Sequence, residues 1–126
     1  MPKLTGVFQI NDWQETTKQQ IDDKLKCNLA SVKLTYTGDI KGTSELQYLL
    51  QYQQDGSANF VGFETIDAEL DDGSGLIVLR HLGQFKQGVA SSEFEVIQST
   101  LSVDLVGLKG KFESGENGQA EYVIQS

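Results

Sequence analysis

From Ala30 to Tyr52 the sequence alternates with period two over twenty-three residues. The even positions read Ala, Val, Leu, Tyr, Gly, Ile, Gly, Ser, Leu, Tyr, Leu, Tyr, while the odd ones are polar except Leu49. Successive side chains point to opposite faces only in an extended strand, so this pattern specifies a sheet with one wet face. One strand of that length would reach ~75 Å, far beyond a small domain. The chain must therefore reverse, and TGDIKG at 37–42 is the obvious place. The apolar phase survives the reversal, which requires an odd-numbered loop or a bulged corner. Pairing centred near Ile40 sets Leu34 beside Leu46 and Val32 beside Tyr48.

Further alternating runs, punctuated by glycine, predict strands over 4–13, 59–70, 76–85, 89–97, 100–105, 106–112 and 120–126. A phase change at Leu105–Val106–Gly107 reads as a bulge. DDGSG (71–75), KQG (86–88) and ENG (116–118) read as turns. The segment 14–26 is polar except for Ile21 and Leu25 and reads as a surface loop, and Trp13 before it reads as core. About eight strands in meander order predict an all-β fold, a closed antiparallel eight-stranded barrel, with an open β-sandwich as the alternative. Closure removes edges that a chain with one proline, at position 2, has few means of blunting. A length of 126 residues makes residues 1–126 a single domain.

A net charge of −8 argues against nucleic acid and against anionic lipid as partners. No leader pattern and no apolar run of ~18 residues is present, so the expectation is a cytoplasmic protein that does not span a membrane. The single cysteine, Cys27, rules out an intrachain disulfide and, with one histidine, leaves no metal motif; no cofactor is expected. Cys27 stands near Lys24 and Lys26 without a histidine motif and reads as an ordinary thiol. Asp67, Glu69, Asp71 and Asp72 lack the spacing of a calcium loop and read as a solvated edge. GSG at 73–75 precedes no helix and is a turn, not a phosphate cradle.

The one histidine, His81, lies in the apolar run GSGLIVLRHLGQF. With Asp72–Gly73 central in a two-residue hairpin, Ala68 faces Ile77, Ile66 faces Leu79 and Glu64 faces His81. With Gly73–Ser74 central, Glu64 faces Gly83 and is diagonal to His81. Either register brings the two side chains together on the core face. A turn centred on Gln87–Gly88 adds Phe94 beside His81. The pair has two readings, a satisfied polar contact that fixes register and an acid–base pair in an apolar pocket. Tyr36, Tyr48 and Tyr52 share the inward phase. The opposite face carries Val61, Phe63, Leu76, Val78 and Leu82, too apolar to be left wet. It calls for a cover, either segment 14–26 or a second copy of the chain, most simply a homodimer through Val61, Phe63, Val78 and Leu82.

TGDIKGTSELQYLLQY, GSANFVGFE, GSGLIVLRHLGQF and LVGLKGKF, taken in order, resemble a small bacterial family catalogued as a domain of unknown function, of the DUF3224 type. The resemblance rests on TGD-x-x-G, VG-x-E and H-x-G and extends from the Trp13 strand to the Tyr122 strand. It implies a barrel similar to that of allene oxide cyclase, with Glu64 and His81 at the motif positions, and it implies no activity. Three functions follow from the residues: a barrel binding a small apolar ligand, an isomerase or cyclase using Glu64 and His81, or an interaction protein with a filled core. The candidate catalytic residues are Glu64 and His81, and the candidate ligand-binding residues are Glu64, His81, Phe94, Leu79, Tyr36 and Tyr48. An open lumen of ~300 Å³ or more that reaches His81 separates the first two from the third.

Overall fold

The computed structural model describes residues 3–71, 73–114 and 118–125. Eight strands follow in order: β1 (Lys3–Gln20), β2 (Lys26–Gly38), β3 (Lys41–Tyr52), β4 (Ala58–Leu70), β5 (Gly73–Lys86), β6 (Val89–Ser99), β7 (Lys109–Ser114) and β8 (Gln119–Gln125). Each pairs antiparallel with the next, and β1 also pairs with β8, so the sheet forms a ring. The all-β meander is as expected. A short 3-10 turn lies at Val103–Leu105. Among the described residues no helix is long and apolar enough to cross a membrane.

The ring has two unlike ends. One carries the β2–β3 turn, Asp71 and the segment 100–108; Ile40, Ile66, Ile77, Leu105 and Leu108 are buried there and pack it solid. This end is the floor. The TGD-x-x-G motif belongs to it. Gly38 turns the chain at φ 98°, Asp39 accepts the Thr5 N–H at 2.8 Å, and the Ile40 N–H donates to the Tyr122 hydroxyl at 3.1 Å. Ile40 is thereby pressed inward with no exposure. The other end, the mouth, carries the β3–β4 loop and the Gln87–Gly88 turn, whose two positive φ angles, 54° and 81°, suit a tight hairpin.

Two registers differ from expectation, the β2–β3 one by two residues and the β4–β5 one by two from the first of its expected pairings and four from the second. Between β2 and β3 the loop is odd-numbered as required, but Val32 faces Leu46, Leu34 faces Ser44 and Ala30 faces Tyr48. Between β4 and β5 Leu70 pairs with Gly73, so Glu64 faces Leu79, Ile66 faces Ile77 and Gly62 faces His81. Asp72 itself lies outside the described residues. Side-chain size explains both shifts. The first expected β4–β5 pairing stacks Gly62 on Gly83 and Phe60 on Phe85. The observed one sets Phe60 against Gly83 and Gly62 against His81, so large rings meet glycines. Likewise Tyr36 faces Gly42 and Tyr48 faces Ala30. A slip of two keeps every residue on its face, so the alternating pattern is blind to it. The β5–β6 register is as expected, with His81 facing Phe94.

Three further readings are corrected. Residues 14–20 are strand and not loop: they extend β1, pairing with β2 as far as Gln20 and Lys26. The turn at Ile21–Leu25 is held by the Asp22 side chain, which accepts the Lys24 and Leu25 N–H groups at 2.8 Å. Residues 100–108 are not strand, because Ser99 accepts from the Leu101 N–H and Ser102 from the Asp104 N–H, which curl the backbone into turns. β7 therefore begins only at Lys109. Gly73–Gly75 is paired strand, not turn. Of the expected ENG turn, Glu116 and Asn117 lie outside the described residues. The apolar outer face stays open: Phe63 is 56 % exposed and Leu82 64 %, and segment 14–26 does not cover it.

Candidate functional site

Inside the ring, β4 and β5 carry Glu64 and His81, 1 % and 2 % exposed. The residues are diagonal across the strand pair, and their side chains close the gap: His81 Nε2 lies 2.7 Å from Glu64 Oε1. The other carboxylate oxygen accepts two hydroxyls, Tyr36 from β2 and Ser44 from β3, both at 2.6 Å. The other ring nitrogen, Nδ1, lies 3.0 Å from Ser92 Oγ. Ser92 gives its own hydrogen to the Glu93 carbonyl at 3.3 Å, so it accepts from His81 Nδ1–H. Five side chains from five strands thus form one closed network, with a single proton shared between Nε2 and Oε1. Tyr48, Phe94 and Phe112 surround the imidazole, with ring centroids at 5.9, 5.1 and 6.0 Å.

Above this network is a cavity of about 360 Å³. Its wall is mostly apolar (Phe8, Val32, Leu34, Leu46, Leu50, Phe60 and others), and Glu64, His81 and Tyr48 reach it from below. Of the residues expected to line a ligand site, Tyr36, Leu79 and Phe94 sit behind this surface: Tyr36 holds Glu64, Leu79 is its strand partner, and Phe94 packs on His81.

The mouth owes its chemistry to a bulge. β1 pairs Ile10 with Leu34 but Asp12 with Lys33. The extra residue switches the inward phase from even to odd and brings Trp13 and Glu15 onto the inner side. Trp13 is not core; beyond the end of β8 it is 42 % exposed. Its indole N–H donates to Glu15 at 3.0 Å, and the Tyr52 hydroxyl donates to Glu15 at 2.6 Å. Asn28 is the third donor to Glu15. Burial works against the Glu15 charge, but these three hydrogen bonds and the nearby Lys26 prevail and hold its carboxyl below the usual range. Among the described residues the Oδ1 of buried Asn28 has no hydrogen-bond partner.

Burial first, and the Glu64 carboxylate second, push the Tyr36 and Tyr48 phenols well above their ordinary range. A phenol whose folded value is raised supports the fold below its unfolded value of ~10 and withdraws that support as pH climbs toward the folded value. Of the four tyrosines, at most two should yield phenolate in the native state. Tyr36 and Tyr48 should ionise only as the far-ultraviolet circular dichroism of the sheet is lost. More than two phenolate equivalents with the dichroism intact would contradict this burial.

Ser44, Ser92, Glu15 and Asn28 were not read from the sequence as part of any site. For the serines a signal existed, since each is a lone hydroxyl on an apolar stripe. Glu15 and Asn28 depend on the bulge. Among the described residues no three His, Cys, Asp or Glu side chains gather as a metal site. Cys27 is a free, half-buried thiol.

These features define a class: an all-β ring in which a buried carboxylate–imidazole network underlies an apolar cavity. The chain belongs to the family described as protein of unknown function (DUF3224), whose model matches residues 4–125. It is similar to the crystal structure of a DUF3224-family protein of unknown function from Shewanella oneidensis MR-1. The identity is 27 %, the TM-score 0.69, and the match covers 99 % of this chain and 95 % of that one. Nothing among curated proteins matches.

Proposed function

We propose that the ring is a closed barrel whose lumen binds one small, largely apolar molecule, with the Glu64–His81 network as a polar floor. The observation that carries this reading is the cavity itself. Its volume of about 360 Å³ exceeds the ~300 Å³ at which ligand pockets begin, and it ends on the one buried histidine. A proton-transfer enzyme is the weaker reading, because both imidazole nitrogens and both Glu64 oxygens are already engaged. The allene oxide cyclase-like barrel that the sequence resemblance implies is part of this proposal as architecture alone and brings no reaction with it.

Native mass spectrometry of freshly expressed protein is expected to find a bound small molecule. It should be absent from Ala90→Trp, which fills the mouth side of the cavity, while the sheet dichroism is unchanged. Wild-type protein that carries nothing and binds no neutral apolar probe would refute the reading. The outer face joins the proposal as a homodimer surface, since Val61, Phe63 and Leu82 lie uncovered side by side on β4 and β5. Phe63→Asp should move the species on a sizing column from dimer to monomer. Wild-type protein already monomeric at micromolar concentration would remove this part.

A further inference from the structure

Tyr48 differs from every other inward phenol. Tyr36 donates to Glu64, Tyr52 to Glu15 and Tyr122 to the Thr37 carbonyl. Tyr48 is 4 % exposed and lines the cavity, yet its hydroxyl makes no hydrogen bond to any described residue. Packing holds the ring in place: Phe60 lies at 4.6 Å, Trp13 at 6.0 Å and His81 at 5.9 Å between centroids. The oxygen is not sealed away: among the described residues the enclosed side-chain polar atom without a partner is Asn28 Oδ1, so the Tyr48 hydroxyl opens on the cavity, and phenols donate more readily than they accept. The raised Tyr48 value keeps that proton on the oxygen.

Charge narrows the occupant further. Among the described residues the cavity wall holds no lysine or arginine, and Lys26, beside Glu15, stands outside it. Among the described residues its carboxylates are Glu15 and Glu64, and its basic group is His81, already committed to Glu64. An anionic headgroup would lose its hydration and gain no counter-charge. Glu64 and Glu15 offer little to a ligand donor either, since each already accepts three hydrogen bonds.

Resting on the ligand-binding reading above, we infer that the lumen takes an uncharged, largely apolar molecule with one carbonyl or ether oxygen, which accepts the Tyr48 O–H. Carboxylates of the same carbon skeleton are excluded. The floor network stays intact beneath the ligand, and Tyr48 sets its orientation.

The test uses four probes of one chain length: 2-octanone, octanoate, octylammonium and the hydrocarbon octane. Binding is measured by calorimetry at pH 8, and the carbonyl stretch of bound 2-octanone is read by infrared difference spectroscopy. Expected results are that 2-octanone binds at least tenfold more tightly than octanoate or octylammonium, and that its carbonyl stretch shifts to lower frequency. Tyr48→Phe should weaken 2-octanone about five- to tenfold, the worth of one neutral hydrogen bond, and abolish the spectral shift. Octane should bind wild type and Tyr48→Phe alike, which shows that the variant keeps its fold and its cavity. Octanoate or octylammonium binding as tightly as the ketone, or a ketone indifferent to Tyr48→Phe, would overturn this inference and leave the lumen a ligand site of other chemistry. Failure of all four probes, octane included, would overturn the ligand-binding reading and this inference with it.

Discussion

Glu64→Leu is expected to lower folding stability by ~3–5 kcal/mol, the range for breaking a buried charged pair. The substitution removes the acceptor of three donors at once: the Tyr36 hydroxyl, the Ser44 hydroxyl and the His81 Nε2 side. None of them can turn to water, since all three side chains are buried. His81→Leu should be destabilising but less so, because Tyr36 and Ser44 still donate to the carboxylate. Glu64→Gln should cost under ~1.5 kcal/mol. Its carbonyl oxygen can take both hydroxyls, and its amide N–H can donate to Nε2 of an imidazole that keeps Nδ1–H on Ser92. The double variant Glu64→Leu with His81→Leu should be more stable than the sum of the single losses predicts, with a coupling above ~1 kcal/mol. Urea unfolding of the four corners measures it. Additivity within ~0.5 kcal/mol would mean that no shared proton links the two residues.

Much of this network is legible in the sequence. Alternation alone put Glu64 and His81 on one face, and a two-residue hairpin put them within reach, so their pairing survived a register slip of two. The slip itself was not legible in the alternation, because period-two patterning distinguishes odd from even and nothing finer. Finer information was present in another form. The chain places glycines at 42, 62 and 83, and each faces a large ring in the observed pairing. Matching large to small across neighbouring strands selects these registers. Segment 14–20 was misread because strands are recognised by an apolar stripe, and this one has none; pairing with β2 makes it strand. Residues 100–105 alternate acceptably, yet Ser99 and Ser102 take over the backbone N–H groups that a ladder would need. The mouth was out of reach for a related reason. One extra residue near Asn11 carries Trp13 and Glu15 to the inner side, and a bulge has no composition signature in a polar strand.

Gly62→Ala is expected to cost about 3 kcal/mol, or roughly 10 °C in Tm, although it adds only one methyl group. A Cβ at Gly62 would collide with the carbonyl oxygen of Gln47 on β3 and stand 2.8 Å from the Tyr48 ring. Gly62 is buried between its cross-strand partners Tyr48 and His81, whose rings approach edge-to-face at 5.9 Å. The backbone carbonyl cannot move without breaking the β3–β4 ladder, so the strain passes to the ring and from there to the cavity wall. Gly83 has the same construction, with Phe60 at 2.6 Å from its would-be Cβ. The VG-x-E and H-x-G motifs therefore each join a polar network residue to the glycine that makes room for an aromatic ring. Gly56→Ala is the control. It has nothing within 4 Å and a φ of 86°, so its loss should be the conformational one alone, ~1–2 kcal/mol, with the cavity untouched. Gly62→Ala should combine a larger loss with weakened binding of a neutral apolar probe, and Gly56→Ala should show neither. Equal stability losses with equal probe binding in the two variants would show that Gly62 serves the chain's conformation and not the room for Tyr48.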